Sequence, residues 1–185
     1  MAYADIAVAV LAAGRGVRFG GDKLLAKIDE QPLGLRAAAR LKGLGFGWYF
    51  AVCRTNNALA GQYADLAFDV IDNDCPEKGQ SYSLHLAVKQ AEASGARALL
   101  VMLADMPFIS VRHICALVDA YAGNIVASSN GKVRMPPVIF PRSSWADLLA
   151  TKGDGGGREL LLSADLVQAS SEELRDIDRR SDLQR

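Results

Sequence analysis

Gly14, Gly16, Gly20 and Gly21, with Arg18 and Lys23 among them, stand between positions 14 and 23, directly behind an apolar run. Glycines let backbone N–H groups approach an anion that a Cβ would hold away. Arg18 offers a bidentate fork and Lys23 a point charge, a combination suited to phosphates. Two familiar phosphate loops do not fit. A dinucleotide turn needs its third glycine where Phe19 stands, and it enters a helix at once. A Walker A loop needs Lys directly after the last Gly and then Ser or Thr, whereas Asp22 intervenes and Leu24 follows. A long, open loop lying over a triphosphate remains. The plain alternative, a flexible surface turn, leaves the placement of Arg18 and Lys23 unexplained.

Other residues carry chemistry of their own. Asp105 follows a fully apolar run, and its hard carboxylate oxygens suit Mg²⁺. Its alternative is a strand-end or helix-capping role, but Ser110, beyond Pro107, is the more natural cap. Gly79, Ser81 and Ser83 open a helical stretch, where either serine has N-capping as its simplest duty. Gly153, Gly155, Gly156 and Gly157 make a strip that can close over a ligand, with Asp154 and Arg158 attached and Arg158 as an anion contact. Its alternative is an ordinary connection between short helices. His85 and His113 lack sequence partners that suggest metal or nucleophilic work, and read as packed or surface residues. Cys53 and Cys115 lie in apolar segments as small core residues, and Cys75 lies in a polar loop.

These residues need elements to position them. The runs 5–13 and 98–103 read as buried strands, since strands covered on both faces are apolar at nearly every position. Further strands are expected at 48–53, 66–71, 124–129 and 137–140. Helices are expected at 32–44, 81–95 and 110–123, with short ones at 143–150 and 157–164. Strands alternating with helices predict an α/β fold in three layers, a mainly parallel sheet with helices on both faces. The segment 137–140, or a neighbour, is expected to run antiparallel. In such sheets ligands bind beyond the carboxyl ends of the strands, where the strand order switches, and the glycine-rich loop falls at such a place.

Bulk properties narrow the function. At 185 residues the chain fits one domain over 1–185. Its 21 basic and 21 acidic residues balance, so no global field calls for nucleic acid or an anionic membrane. The three cysteines form neither a disulfide framework nor a zinc pair. No secretory signal or membrane-length apolar segment is seen, and a cytoplasmic protein is expected.

The stretch 11–23, Leu-Ala-Ala-Gly-Arg-Gly-Val-Arg-Phe-Gly-Gly-Asp-Lys, resembles the signature of the MobA-like nucleoside-triphosphate transferases, and within them that of the molybdenum cofactor cytidylyltransferases. Leu11, Ala12, Ala13, Gly14, Arg18, Gly20 and Lys23 match, while Gly16 replaces a usual Ser and Phe19 a usual Met. The segments 79–84, 103–107, 136–162 and 176–183 resemble further family motifs in the same order. The resemblance implies a Rossmann-like, GT-A type nucleotidyltransferase fold. It implies transfer of a nucleoside monophosphate, CMP from CTP, to a phosphorylated acceptor, the molybdopterin cofactor, with release of pyrophosphate.

The resemblance also implies roles for residues. Leu11, Ala12, Ala13, Gly14, Arg15, Gly16, Arg18 and Lys23, with Gly79, Ser81 and Ser83 along base and ribose, would bind the nucleotide. Arg18, Lys23 and Asp105 would be catalytic. Asp105 and Asp178 would hold Mg²⁺, or Mn²⁺ in its place; a solvated turn is the other reading of Asp178. Pro137, Asp154 and Arg158 would face the acceptor. A molybdenum hydroxylase receiving the finished cofactor is the implied protein partner. Ala13 favours cytidine, while Gly20-Gly21-Asp22-Lys23 echoes the guanylyl pattern. Met135-Pro136 stands where relatives have Gly-His, and Arg179-Arg180-Ser181 where they have Thr-Pro-Glu. Other readings are a guanylyltransferase, a sugar- or polyol-phosphate nucleotidyltransferase, or a non-catalytic cofactor chaperone. A chaperone could dispense with Asp105.

Overall fold

The computed structural model describes residues 2–14, 19–155 and 157–184. Strand β1, Ile6–Ala12, is buried along its whole length. Its side chains alternate between two cores, with Ile6, Val8, Val10 and Ala12 in one and Ala7, Ala9 and Leu11 in the other. A strand sandwiched between helical layers requires apolar residues at every position, and Ile-Ala-Val-Ala-Val-Leu-Ala supplies them.

Beside β1 run β4, Trp48–Arg54, on one edge and β6, Ala98–Leu103, on the other, both parallel to it. Outside them lie β5 (Asp69–Asn73), β7 (Val126–Ser129), β8 (Arg134–Pro141) and β9 (Asp165–Gln168). Among the described residues the sheet has seven strands in the order β5-β4-β1-β6-β8-β7-β9. β8 is antiparallel to both its neighbours, and the other pairings are parallel. Strands β2 (Lys27–Ile28) and β3 (Gln31–Pro32) form a separate small hairpin.

Helices cover both faces, as the sequence implies. Helices α1 (Leu33–Leu41), α2 (Ala60–Asp65) and α4 (Val111–Ala120) share the core of Val8 and Val10. Helices α3 (Gln80–Ala93) and α5 (Trp145–Ala150) share that of Ala9 and Leu11. The chain leaves β1 toward β4, then returns across it to β6, so strand order switches between β1 and β6. A ligand site is expected beyond their carboxyl ends.

Two local expectations are corrected, and two short elements were not expected. The strand expected at 66–71 begins at Asp69, because Leu66 and Ala67 close α2 and the Phe68 N–H donates to the Tyr63 carbonyl at 3.0 Å. Residues Arg158–Ser163 form a 3₁₀ helix rather than an α-helix, and Arg134 Nη1 draws the Leu161 and Leu162 carbonyls to itself. The short edge strand β9 and the short helix α2 carried too little periodicity to be read.

Candidate active site

Lys23 opens a 3₁₀ turn, Lys23–Leu25, just past the glycine-rich loop. Asp22 fixes that turn twice. Its Oδ1 accepts from the Leu24 N–H at 3.3 Å, and its Oδ2 accepts from Arg54 Nη2, at the end of β4, at 2.8 Å. The turn is thereby tied to a second strand end, and the Lys23 side chain points inward with 9% exposure.

Asp105 lies in the turn after β6, and Lys23 Nζ donates to its Oδ2 at 2.6 Å. Lys23 Nζ also donates to the Ile177 carbonyl at 3.1 Å and to Asp178 Oδ1 at 3.3 Å. The C-terminal segment reaches this place because Leu174 and Ile177 are buried in the core and the Ile177 N–H donates to the Asp105 carbonyl at 2.9 Å. Asp182 Oδ2 then accepts from the Asp178 and Arg179 N–H groups, holding the Asp178 backbone in place. Burial alone would lower the Lys23 pKa, but the Asp105 carboxylate, followed by that of Asp178, holds it above the ordinary lysine value. The ammonium is charged.

Asp105 Oδ1 is buried without a hydrogen-bond partner among the described residues. A buried carboxylate oxygen left unpaired is costly unless something else fills its coordination. No group of three or more His, Cys, Asp or Glu side chains arranged to hold a metal ion occurs among the described residues. Mg²⁺, however, keeps several waters and takes one or two protein carboxylates together with substrate phosphates. The pair Asp105 and Asp178 fits such an ion.

A cavity of about 490 Å³ adjoins this cluster. Leu84, Val101, Leu103, Met106, Met135 and Pro136 give it apolar walls, while Lys132, Arg134 and Arg158 supply positive charge and Asp176 a carboxylate. Burial, reinforced by Asp105 and Asp178, pushes the Asp176 carboxyl above its ordinary range. The wall at Pro136 is an irregularity in the ladder. Ala127 pairs with Val138 but Ser128 pairs with Met135, so Pro136 and Pro137 are extra residues on β8. Ser128 Oγ donates to the Pro137 carbonyl at 2.8 Å and lies 2.8 Å from His113 Nε2. With its proton committed to Pro137, the Ser128 hydroxyl accepts from His113, which assigns the proton to Nε2.

The structure thus brings Lys23, Asp105 and Asp178 together. The Leu11 side chain lines the cavity, Ala12 and Ala13 are buried at the end of β1, and Gly14 is exposed. Arg15, Gly16 and Arg18 lie outside the described residues, as does Gly156. Gly79 is the N-cap of α3 with φ +83° and no side chain to cap with, so neither Ser81 nor Ser83 has the capping role their position suggested. Both are buried inside the helix, and Ser83 Oγ accepts from Asn73 Nδ2 at 2.9 Å. Ser110 does cap α4, through the His113 N–H at 3.1 Å. Pro137 is buried and Pro136 takes the cavity wall beside it; Arg158 lines the cavity, and Asp154 is exposed against Gly79.

Sequence reasoning did not identify the Asp22–Arg54 tie, Asp176, Arg134 or the His113–Ser128 pair. Only Asp176 had a signal, as the first acid of the segment that also supplies Asp178.

Comparison with known proteins gives a consistent picture. A model of the MobA-like NTP transferase domain matches residues 8–169. Purine catabolism protein PucB of Bacillus subtilis is 29% identical over 182 residues, spanning 94% of this chain and 88% of that protein. Molybdenum cofactor guanylyltransferase of Shewanella woodyi is 26% identical over 156 residues, spanning 82% and 76%. Crystalline Rv0371c from Mycobacterium tuberculosis H37Rv superposes with a TM-score of 0.80 at 23% identity, covering 97% of this chain and 95% of that one. A manganese complex of Rv0371c has a TM-score of 0.70 at 21% identity, covering 89% and 88%.

Proposed function

The chain belongs to the MobA-like NTP transferase family, and from that premise we propose that its one domain, residues 1–185, transfers CMP from CTP to the molybdopterin cofactor. The single observation that carries this reading is the convergence of Lys23, Asp105 and Asp178 at the strand-order switch, beside a cavity with apolar walls and basic residues. A pterin offers ring faces that can lie against those walls, polar ring edges that suit the charged lining, and a phosphate tail that suits Arg158. Leu-Ala-Ala-Gly at positions 11–14 supports cytidine. The name of the Shewanella woodyi relative supports guanosine as the second reading.

In the reaction an acceptor phosphate oxygen bonds to the α-phosphorus as the bond from that phosphorus to the β-phosphate oxygen breaks. Pyrophosphate departs in line. The acceptor is already ionised, so the site needs cations more than a base. Lys23, with Arg18, neutralises charge on the phosphates, and the glycine-rich backbone approaches them closely. Asp105 and Asp178 hold Mg²⁺, or Mn²⁺; when bound, that ion supplies Lewis-acid stabilisation of the charge on the phosphoryl oxygens. A molybdenum hydroxylase is the proposed recipient of the product.

The test offers purified protein CTP or GTP with Mg²⁺ and molybdenum cofactor, and separately sugar 1-phosphates and methylerythritol phosphate. A cytosine dinucleotide form of the cofactor with stoichiometric pyrophosphate is expected. Turnover of a sugar or polyol phosphate, with none of the pterin, overturns the acceptor assignment. Product from GTP alone overturns the base assignment. Tight nucleotide binding without any pyrophosphate is the result expected of a cofactor chaperone.

A further inference from the structure

We propose that Lys23 acts as an internal cation that closes the Asp105–Asp178 pair to a divalent ion until a nucleotide draws it away. This rests on the reading of that pair as the metal-holding carboxylates. Lys23 Nζ lies 2.6 Å from Asp105 Oδ2, 3.3 Å from Asp178 Oδ1 and 3.1 Å from the Ile177 carbonyl. An ammonium has three N–H donors, and these three acceptors use all of them. In this arrangement Lys23 has none left for a phosphate.

While Lys23 holds Asp105 Oδ2 and Asp178 Oδ1, those two oxygens are closed to a divalent ion, and Asp105 Oδ1 by itself does not hold one. The side chain is 9% exposed, so water does little to screen two cations sharing one small polar cluster. A triphosphate changes the balance, since its oxygens offer Lys23 new charge-assisted partners. The side chain swings while its backbone stays, because Asp22 and Arg54 hold the turn from which it projects. Triphosphate binding therefore removes the competitor of the metal, and by linkage the metal favours the triphosphate to the same degree. The site admits its divalent ion where a triphosphate has drawn the lysine away.

The test titrates Mn²⁺ into nucleotide-free protein and follows the paramagnetic resonance signal of the free ion. Lys23→Met, which keeps an unbranched side chain one atom shorter and without charge, is expected to bind Mn²⁺ about tenfold more tightly than wild type, within the usual range of coupling between sites. Adding Asp105→Asn to Lys23→Met is expected to remove the gain. Lys23→Gln repeats the measurement should the methionine variant fail to fold, and Mn²⁺ is expected to raise its melting temperature more than that of wild type. Wild-type protein binding Mn²⁺ as tightly as either variant overturns this proposal alone. Absence of Mn²⁺ binding from wild type and variants, with CTP present as well as without it, overturns the metal reading too.

Discussion

Lys23 and Asp105 are placed differently in the chain yet meet at 2.6 Å, and each carries a separate consequence. In the proposed reaction Lys23→Ala removes one electrostatic partner of the phosphates, for which a loss of roughly 2–4 kcal/mol of transition-state stabilisation is expected. In steady-state assays of pyrophosphate release, kcat/KM should fall by about one and a half to three orders of magnitude. Wild-type turnover in that variant counts against the assignment. These two residues were legible because each follows an apolar strand at its carboxyl end, and strand ends of this kind carry ligand sites. Their pairing was not legible. It joins positions 82 residues apart, and the Ile177 carbonyl stands 154 residues from Lys23. Nor did spacing reveal Ser128 and His113, whose partnership depends on two extra residues in β8. Ser128→Ala leaves the Pro137 carbonyl and His113 Nε2 buried without partners, at a cost of about 1–3 kcal/mol. Urea unfolding should show that loss, and an unchanged midpoint would remove the pair from the account of the cavity wall.

Among the elements, the junction of α3 with the 3₁₀ turn Gly153–Gly155 is exacting in both conformation and space. Gly79 has φ +83°, and a Cβ there would lie 2.5 Å from Asp154 Oδ1 and 2.7 Å from the Gly153 carbonyl carbon. Both the backbone conformation and the close approach require glycine. Gly79→Ala is therefore expected to cost about 1–3 kcal/mol, with a melting temperature lower by several degrees and α3 displaced from the turn. A melting temperature equal to wild type would show that the junction tolerates a side chain. The sequence marked both glycine segments as ligand-facing, but nothing in either pointed to the other. Strands with continuous apolar residues were readable because burial on both faces admits little else. Short exposed pieces such as β9 were not, since four residues at a sheet edge, three of them exposed, carry almost no pattern. The 3₁₀ form of Arg158–Ser163 was likewise hidden, because it answers to an Arg134 side chain 27 or 28 residues away.

At the scale of the molecule, the three-layer arrangement brings three separated segments to one strand-order switch. No helix among the described residues is long and apolar enough to cross a membrane. Acid should weaken the fold through two groups in contact with α4. Burial lowers the His113 pKa below 6.5, so its contribution is complete above that value and is lost as pH falls below it. Burial opposes ionisation of Glu173, but hydrogen bonds from the Ser110 hydroxyl and N–H outweigh it and hold the carboxyl below 4.5. Its contribution is present above 4.5 and is lost as pH falls through the lowered value. Unfolding free energy measured from pH 8 downward should therefore begin to fall near neutrality in wild type. In His113→Gln, whose amide can replace Nε2 without titrating, that first decline should be absent. The same decline in both proteins would exclude His113 as its source.

Nucleotidyl transfer at this one switch point, with Asp105 in its machinery, is the proposal on which the other roles depend. The most direct measurement supplies CTP labelled at the α-phosphate, Mg²⁺ and molybdenum cofactor to wild-type protein and to Asp105→Asn, and follows the label. The account predicts label in the acceptor and unlabelled pyrophosphate from wild type, with neither from a folded Asp105→Asn. Label released only as free CMP or CDP, or equal transfer by the two proteins, would contradict it.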